Sequence, residues 1–406
     1  MTASLYIHIP FCAGRCDYCD FFAVPVNAVN DVNLIDTFID AVPGDIKEQI
    51  ALFGVDHVPT VYIGGGTPSM LGAARMERLL AGIRALLKPM KSVIQEFTVE
   101  ANPESADKAF MQACVSGGVS RMSLGVQTFH DPSRRAIRRI GDSGLVEQRL
   151  ALAAEYFPGA FSIDLITGLP LQTETIVRED IKRALAFHPG HISLYSLTLE
   201  PRTPLGERVA RHGAVRLSLP CADEAEALWL TGRDALEEAG LAQYEVSSFA
   251  LPGKACAHNI RYWRMENWLG AGPAASGTII NDETGTGKRY TYPADIEGYI
   301  EKTSHGGGCP TDSLEGTEEN SPCIFEELDK AALIRETLLM GFRYRSGPDP
   351  LSFKRRFGGT IEACIPQTIS RWRERGFFDT EHSGLAPSRN GLLFLNAFLR
   401  DAFGEL

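Results

Sequence analysis

Apolar residues along the chain follow two rhythms. Short runs that read as strands recur at residues 5–9 (LYIHI), 60–63 (TVYI), 97–99 (FTV), 121–124 (RMSL), 161–165 (FSIDL) and 191–195 (HISLY). Between them lie stretches such as 76–87 and 145–156, with apolar positions every three or four residues, the spacing of a helix with one buried face. Strand and helix in alternation predict repeated βα units. Six units, where a closed barrel needs eight, predict an open, partial (β/α)6 TIM-like barrel, so the fold class is α/β.

In this architecture chemistry gathers where the loops leave the carboxyl ends of the strands. Cys12 follows the first predicted strand, Gly64, Gly65, Gly66 and Thr67 the second, Glu100 the third and Gln127 the fourth, while Asp164 closes the fifth. Polar or ligating residues at five separate strand ends are difficult to explain by packing.

Near residue 240 the rhythm changes. Residues 244–247 read as a further strand, followed by an aromatic, glycine-rich stretch to Ile280. Residues 303–323 are polar and glycine-rich and predict an exposed loop. After Leu328, amphipathic spacing at 331–339, 351–357, 366–375 and 391–403 predicts a small helical domain. The expected organisation is a barrel core over 1–235, a mixed region over 236–302, a polar loop over 303–326 and a helical domain over 327–406. That last domain is expected to serve packing or docking.

Composition narrows the function classes. A chain of 406 residues suits one large unit with a smaller appendage. Hydrophobic residues at 44% and charged residues at 22% are ordinary for a soluble globular protein, and no long uncharged apolar run offers a membrane span. The N-terminus lacks the pattern of an export signal, so the cytoplasm is the expected location. A formal net charge of −11 argues against nucleic acid as a partner. Of nine cysteines, Cys12, Cys16 and Cys19 crowd together while the other six are scattered without framework spacing, which favours reduced, metal-binding thiols over disulfides.

Three thiolates at C-x3-C-x2-C can ligate three irons of a cubane and leave the fourth iron without a protein ligand. A structural zinc site would normally take four ligands, and His8, the nearest histidine, lies in a strand where alternation could equally make it a core residue.

The segment YIHIPFCAGRCDYC at 6–19 resembles the radical SAM superfamily, specifically its coproporphyrinogen-oxidase-like branch. So do, in order, YIGGGTP at 62–68, VEANP at 99–103, LGVQTF at 124–129, IDLITGLP at 163–170 and LTLEP at 197–201. The likeness spans nearly the whole chain. It implies a [4Fe-4S] cluster on Cys12, Cys16 and Cys19, whose open iron chelates S-adenosylmethionine and whose one-electron reduction can cleave it to a radical. It further implies contacts to S-adenosylmethionine, or to a second molecule of it, from Tyr6, Tyr18, Gly65, Gly66, Thr67, Glu100, Gln127, Arg139 and Asp164. Read as residues only, the glycines could present backbone to a ligand or make a tight turn, and each polar residue could be a cap or half of an ion pair.

Within the branch, the oxygen-independent coproporphyrinogen III oxidases typically carry another cysteine two residues after the third, and an N-terminal extension. Here Phe21 stands in that place and the motif begins at residue 12, which favours the heme chaperones of the HemW type. His258-Asn259-Ile260-Arg261-Tyr262-Trp263 matches the H-N-x-x-Y-W pattern associated with heme binding in that group. By that resemblance His258 is the candidate axial ligand and Tyr262 and Trp263 the walls for the macrocycle, with the Cys256 thiolate as an alternative ligand. From residue types alone, His258 and Asn259 could equally be a satisfied polar pair with Trp263 in a core. The glycine-rich stretch 269–276 lacks the histidine usual there. The implied partners are heme or another tetrapyrrole, a heme-acceptor protein and a one-electron reductant. A radical SAM enzyme acting on a different substrate is the remaining reading.

Overall fold

All six predicted strands form, and each lies parallel beside the next. The computed structural model describes residues 1–29, 33–90, 93–304, 323–380 and 384–406. Its strands, in chain order, are β1 (Ser4–Ile9), β2 (Phe11–Cys12), β3 (Val24–Pro25), β4 (Thr60–Gly65), β5 (Glu96–Ala101), β6 (Arg121–Gln127), β7 (Phe161–Thr167), β8 (His191–Ser196), β9 (Ala242–Gln243), β10 (Ser248–Ala250), β11 (Trp268–Ala271), β12 (Ser276–Asn281), β13 (Thr286–Thr291) and β14 (Ile324–Leu328). One sheet of twelve strands runs in the order β14-β13-β12-β11-β1-β4-β5-β6-β7-β8-β10-β9. β11 adds a seventh parallel strand beside β1, which the sequence did not reveal. Because β9 and β14 end the sheet without pairing to each other, the barrel stays open.

Period-two alternation decides which face of each strand meets what. Leu5, Ile7 and Ile9, with Val61 and Ile63, Val99, Met122 and Leu124, and Ile163, are fully buried and belong to one core shared with Phe38, Val42 and Ile46 of the helix Leu34–Phe53 and Leu79, Leu80 and Ile83 of the helix Gly72–Leu87. The opposite face is polar. Its groups pair across the strands: Thr60 with Ser4 at 2.9 Å, Tyr62 with Glu100 at 2.7 Å, Ser123 with Asp164 at 3.1 Å and Ser162 with His191 at 2.7 Å. Buried polar groups are tolerated where partners satisfy them, so the barrel has a hydrogen-bonded interior in place of the branched apolar filling common in closed barrels.

The sheet passes through the predicted boundaries at 235 and 302, since β9 to β14 all join it. Residues 244–247, read as a strand, instead make the turn between β9 and β10. Their backbone groups are tied elsewhere, Val246 N–H to the Arg343 carbonyl at 3.1 Å and the Ser247 carbonyl to Leu194 N–H at 2.7 Å, and Glu245 makes only an isolated bridge to Tyr344. Residues 324–328, assigned partly to the polar loop, form β14 against β13. The rest of that loop, 305–322, lies outside the described residues. The C-terminal helices are Lys330–Gly341, Pro350–Phe357, Pro366–Glu374 and Leu395–Glu405, with a short extra turn at Ile361–Cys364. They enclose a second core in which Phe377 stacks on Phe398 at 4.2 Å and Phe342 meets Phe398 edge-on at 4.7 Å. Among the described residues no helix is long and apolar enough to cross a membrane.

Candidate functional site at the mouth of the barrel

A cavity of about 430 Å³ opens at the carboxyl ends of the parallel strands, and Cys12, Cys16 and Cys19 all line it. The three thiols are free. The irregular loop that carries them is fixed at its centre by Asp17, whose side chain is buried and ion-paired to Arg208 at 2.8 Å and Arg138 at 3.6 Å, while its carbonyl accepts from Leu205 N–H at 2.7 Å. Thr67 Oγ1 lies 3.0 Å from Cys12 Sγ, and Arg139 Nη1 donates to Cys16 Sγ at 3.5 Å.

Burial pushes the Cys19 thiol up, and the charge of Cys16 and Cys12 adds to that. Three thiolates gathered this closely repel one another and call for a cationic centre between them. Among the described residues no group of three His, Cys, Asp or Glu side chains closes around a single ion. No histidine or further cysteine lines the cavity. Three thiols on one cavity, with no fourth sulfur or imidazole, fit a multi-iron cluster with one open iron better than a four-ligand zinc ion.

The N–H groups of the glycine loop after β4 are engaged within the protein. Gly66 N–H donates to the Ile9 carbonyl at 2.9 Å, Thr67 N–H to the Phe11 carbonyl at 2.7 Å, and Gly65 N–H to Glu100 Oε2 at 3.3 Å. Those donors are spent on the protein. A Cβ at position 66 would lie 2.6 Å from the Phe11 carbonyl oxygen and 2.8 Å from the Ala23 Cβ. Glycine is required there so that the cysteine loop can lie against the barrel, although Gly65 and Gly66 still face the cavity.

Tyr18, Thr67, Glu100, Gln127, Arg139 and Asp164 line the same cavity, and Tyr6 does not. Tyr6 sits below, its hydroxyl 3.1 Å from His8 Nδ1, while His8 Nε2 lies 2.8 Å from the Phe22 carbonyl. A carbonyl only accepts, so Nε2 carries the proton and Nδ1 accepts from Tyr6. The pair steadies the chain just after Cys19. Asn102, not singled out from the sequence, joins the site's parts: its Nδ2 donates to Thr67 Oγ1 at 2.9 Å and its Oδ1 accepts from Arg139 Nη2 at 2.6 Å. Its place in the 99–103 motif was the available signal. Gln127 takes φ of +71° at a bulge between β6 and β7, which turns its side chain toward that cluster. Burial pushes the Glu100 carboxyl up to about 7, against the pull of the Tyr62 hydroxyl, and the Asp164 charge adds to the rise. Burial likewise raises Asp164.

The proposed heme residues lie at the other end of the barrel. The helix Ala257–Trp263 plugs the floor, its N-terminus capped by a barrel side chain: Glu96 accepts from Ala257 N–H at 2.9 Å, His258 N–H at 3.1 Å and Cys256 Sγ at 3.3 Å. His258 is 1% exposed. Its Nδ1 lies 2.9 Å from Thr60 Oγ1, whose own proton goes to Ser4, so Nδ1 donates and Nε2 keeps a lone pair. Burial lowers this imidazole to about 3, so it is neutral. Such an imidazole could ligate iron, and the Tyr62 and Tyr262 rings pack against it at 5.0 Å each. Tyr262 is enclosed with it, touching Trp268 at 4.7 Å, and Trp263 is half-buried on the same helix. Cys256 is no better placed, since burial pushes its thiol up to about 12. Here the motif closes the barrel, and His258 Nε2 is left without a hydrogen-bond partner.

The profile described as the radical SAM superfamily matches residues 6–184. The chain is 35% identical to the heme chaperone HemW of Escherichia coli, over 98% of this chain and 97% of that protein. It is 30% identical to the heme chaperone HemW of Bacillus subtilis, over 99% of this chain and 100% of that protein. It is also 33% identical to the mitochondrial radical S-adenosyl methionine domain-containing protein 1 of Mus musculus, over 100% of this chain and 88% of that protein. Among solved structures, the radical SAM enzyme coproporphyrinogen III oxidase, HemN, of Escherichia coli shares the fold with a TM-score of 0.78 at 21% identity, over 100% of this chain and 91% of that one.

Proposed function

The chain belongs to the radical SAM superfamily and, within its HemN-like branch, to the family of the HemW proteins, and from that premise we propose that it binds heme and passes it to an acceptor protein. We propose with it that Cys12, Cys16 and Cys19 hold a [4Fe-4S] cluster and that the cavity they share takes S-adenosylmethionine. The observation that carries the cluster reading is the placing of three free thiols on one cavity that offers no fourth sulfur or imidazole. When bound, such a cluster supplies an open iron for the amino and carboxylate groups of S-adenosylmethionine and a route for one electron.

The chain's own residues supply the rest. Arg139, held by Asn102 and by the Gly125 carbonyl at 2.5 Å, presents a fixed positive charge beside Cys16. Glu100 and Asp164 put two carboxyls on the same cavity, suited to a ligand that carries hydroxyls and a positive charge. Phe21 is 72% exposed and Tyr195 43% exposed, and both line the mouth. Exposed aromatics at a cavity mouth suit a flat apolar ligand, so the mouth, and not His258, is the proposed contact for heme. Phe21 is also the position at which the oxidases typically carry cysteine, which favours carrier over decarboxylase.

The deciding experiment gives anaerobically reconstituted protein heme in one arm, and coproporphyrinogen III with S-adenosylmethionine and a reductant in the other. Heme uptake followed by transfer to an added acceptor is expected, with no protoporphyrinogen formed. Turnover of coproporphyrinogen III overturns the carrier reading, and failure to take up heme removes it.

A further inference from the structure

Arg121 opens β6 on the polar face of the sheet and is 8% exposed. Cys256, Glu96, Tyr62 and Tyr244 surround it electrostatically, yet among the described residues no hydrogen bond or ion pair reaches its guanidinium. None of its nitrogens is among the buried atoms without a partner, so its donors meet the solvent of the adjoining space and remain available to a ligand there. The group borders a separate cavity of about 230 Å³ at the floor of the barrel, at the opposite ends of the strands from the cysteines.

Glycines keep that cavity empty of side chains. Gly159 and Gly253 take φ of +61° and +75°, and a Cβ at Gly190 would lie 2.4 Å from the Gly159 carbonyl oxygen. Lys254 stands exposed at the edge, its Nζ 4.0 Å from where a Gly159 Cβ would be. Gln95 is exposed on the same wall, while the other buried ionisable groups there are engaged. Glu96 accepts three hydrogen bonds at the start of the plug helix, and His191 bonds Ser162 at 2.7 Å and the Tyr244 hydroxyl at 2.8 Å. Two cations therefore face a space whose single lining carboxylate is already engaged.

We propose that the floor cavity binds an oxyanion, the carboxylate or phosphate group of a small ligand, with Arg121 as its fork-shaped partner and Lys254 at the entrance. The volume accommodates such a group with a few further atoms and is too small for a tetrapyrrole. This site is independent of the cluster and of heme.

The test titrates the full-length, cluster-reconstituted chain with sodium phosphate and, separately, with sodium succinate, each against sodium chloride of matched ionic strength. Calorimetry and thermal unfolding are the readouts. Saturable binding and a raised melting temperature, with unchanged cluster absorption, are expected. Response to phosphate alone identifies a phosphate site, to succinate alone a carboxylate site, and to both a general oxyanion site. Lys254→Glu, a surface change, should weaken binding about tenfold, and Arg121→Met should abolish it. Should Arg121→Met not fold, Lys254→Glu decides. No saturable response to either anion, unchanged affinity in Lys254→Glu, or binding retained by folded Arg121→Met overturns the proposal.

Discussion

The mouth and the floor of this barrel are lined by the same polar face of the same strands, yet they end in opposite states. At the mouth, Glu100, Asp164 and the three thiols border open volume. At the floor, Glu96, Thr60 and Ser4 are consumed by the plug helix through Ala257, His258 and Arg261. Residue type does not separate the two ends, since each holds a carboxylate and a cysteine. What separates them is whether a partner from elsewhere in the chain has arrived. Polar groups become a site where the fold leaves them facing space, and they become mortar where it does not.

The sharpest break between the two ends is by metal. Replacing Cys12, Cys16 and Cys19 with alanine together should take bound iron from about four per chain to none and erase the visible absorption. The loop should keep its course, because Asp17 fixes it through Arg138 and Arg208. Replacing Cys256 in the floor, whose thiol is bonded to Glu96, should leave iron content unchanged. Iron retained by the triple variant refutes the site.

The floor should answer in stability instead. Glu96→Ala strips three donors at the start of the plug helix of their acceptor, and a loss of about 3 kcal/mol in chemical unfolding is expected, with iron unaffected. Next in size is His258→Phe, which keeps the ring in its packing but loses the bond to Thr60. It should cost about 1 kcal/mol and leave heme affinity and spectrum as in the wild type. A changed heme spectrum in this variant would restore His258 as ligand and show that the floor opens in solution.

Much of the mouth was legible in sequence because its signals are local. The spacing of Cys12, Cys16 and Cys19 is short-range, and Glu100 and Asp164 stand at the ends of strands that are themselves legible as short apolar runs. The packing of the floor was less legible because its logic is long-range. Nothing near His258 announces that Thr60, 198 residues earlier, will take its Nδ1 proton, or that Glu96 will cap the helix that carries it. The seventh parallel strand, β11, was hidden for a related reason: its four residues gain strand character by docking between β1 and β12. Residues 244–247 had strand-like composition, but their backbone partners lie in the loop around Arg343 and in β8, beyond the reach of a local pattern.

The smallest expected effect tests how the mouth's carboxylates work. Burial raises Glu100 to about 7, so below that pH the group is a neutral acid and above it a carboxylate. A cationic ligand in the cavity attracts only the charged form. Binding should therefore release a proton near neutrality and tighten as the pH rises, by about tenfold at most between pH 6 and pH 8 for a group titrating in the middle of that span. S-adenosylmethionine, with its sulfonium, is the probe, titrated into reconstituted protein across that range. Glu100→Gln cannot ionise and should bind with a flatter profile, close to wild type at the acid end and weaker at the alkaline end. Asp164, raised by the same burial, stays in place in that variant and should leave a shallow residual slope. A flat wild-type profile, or a full slope kept by Glu100→Gln, would mean that the carboxyl serves only to brace Tyr62 and Gly65, the role that Glu96 has at the floor.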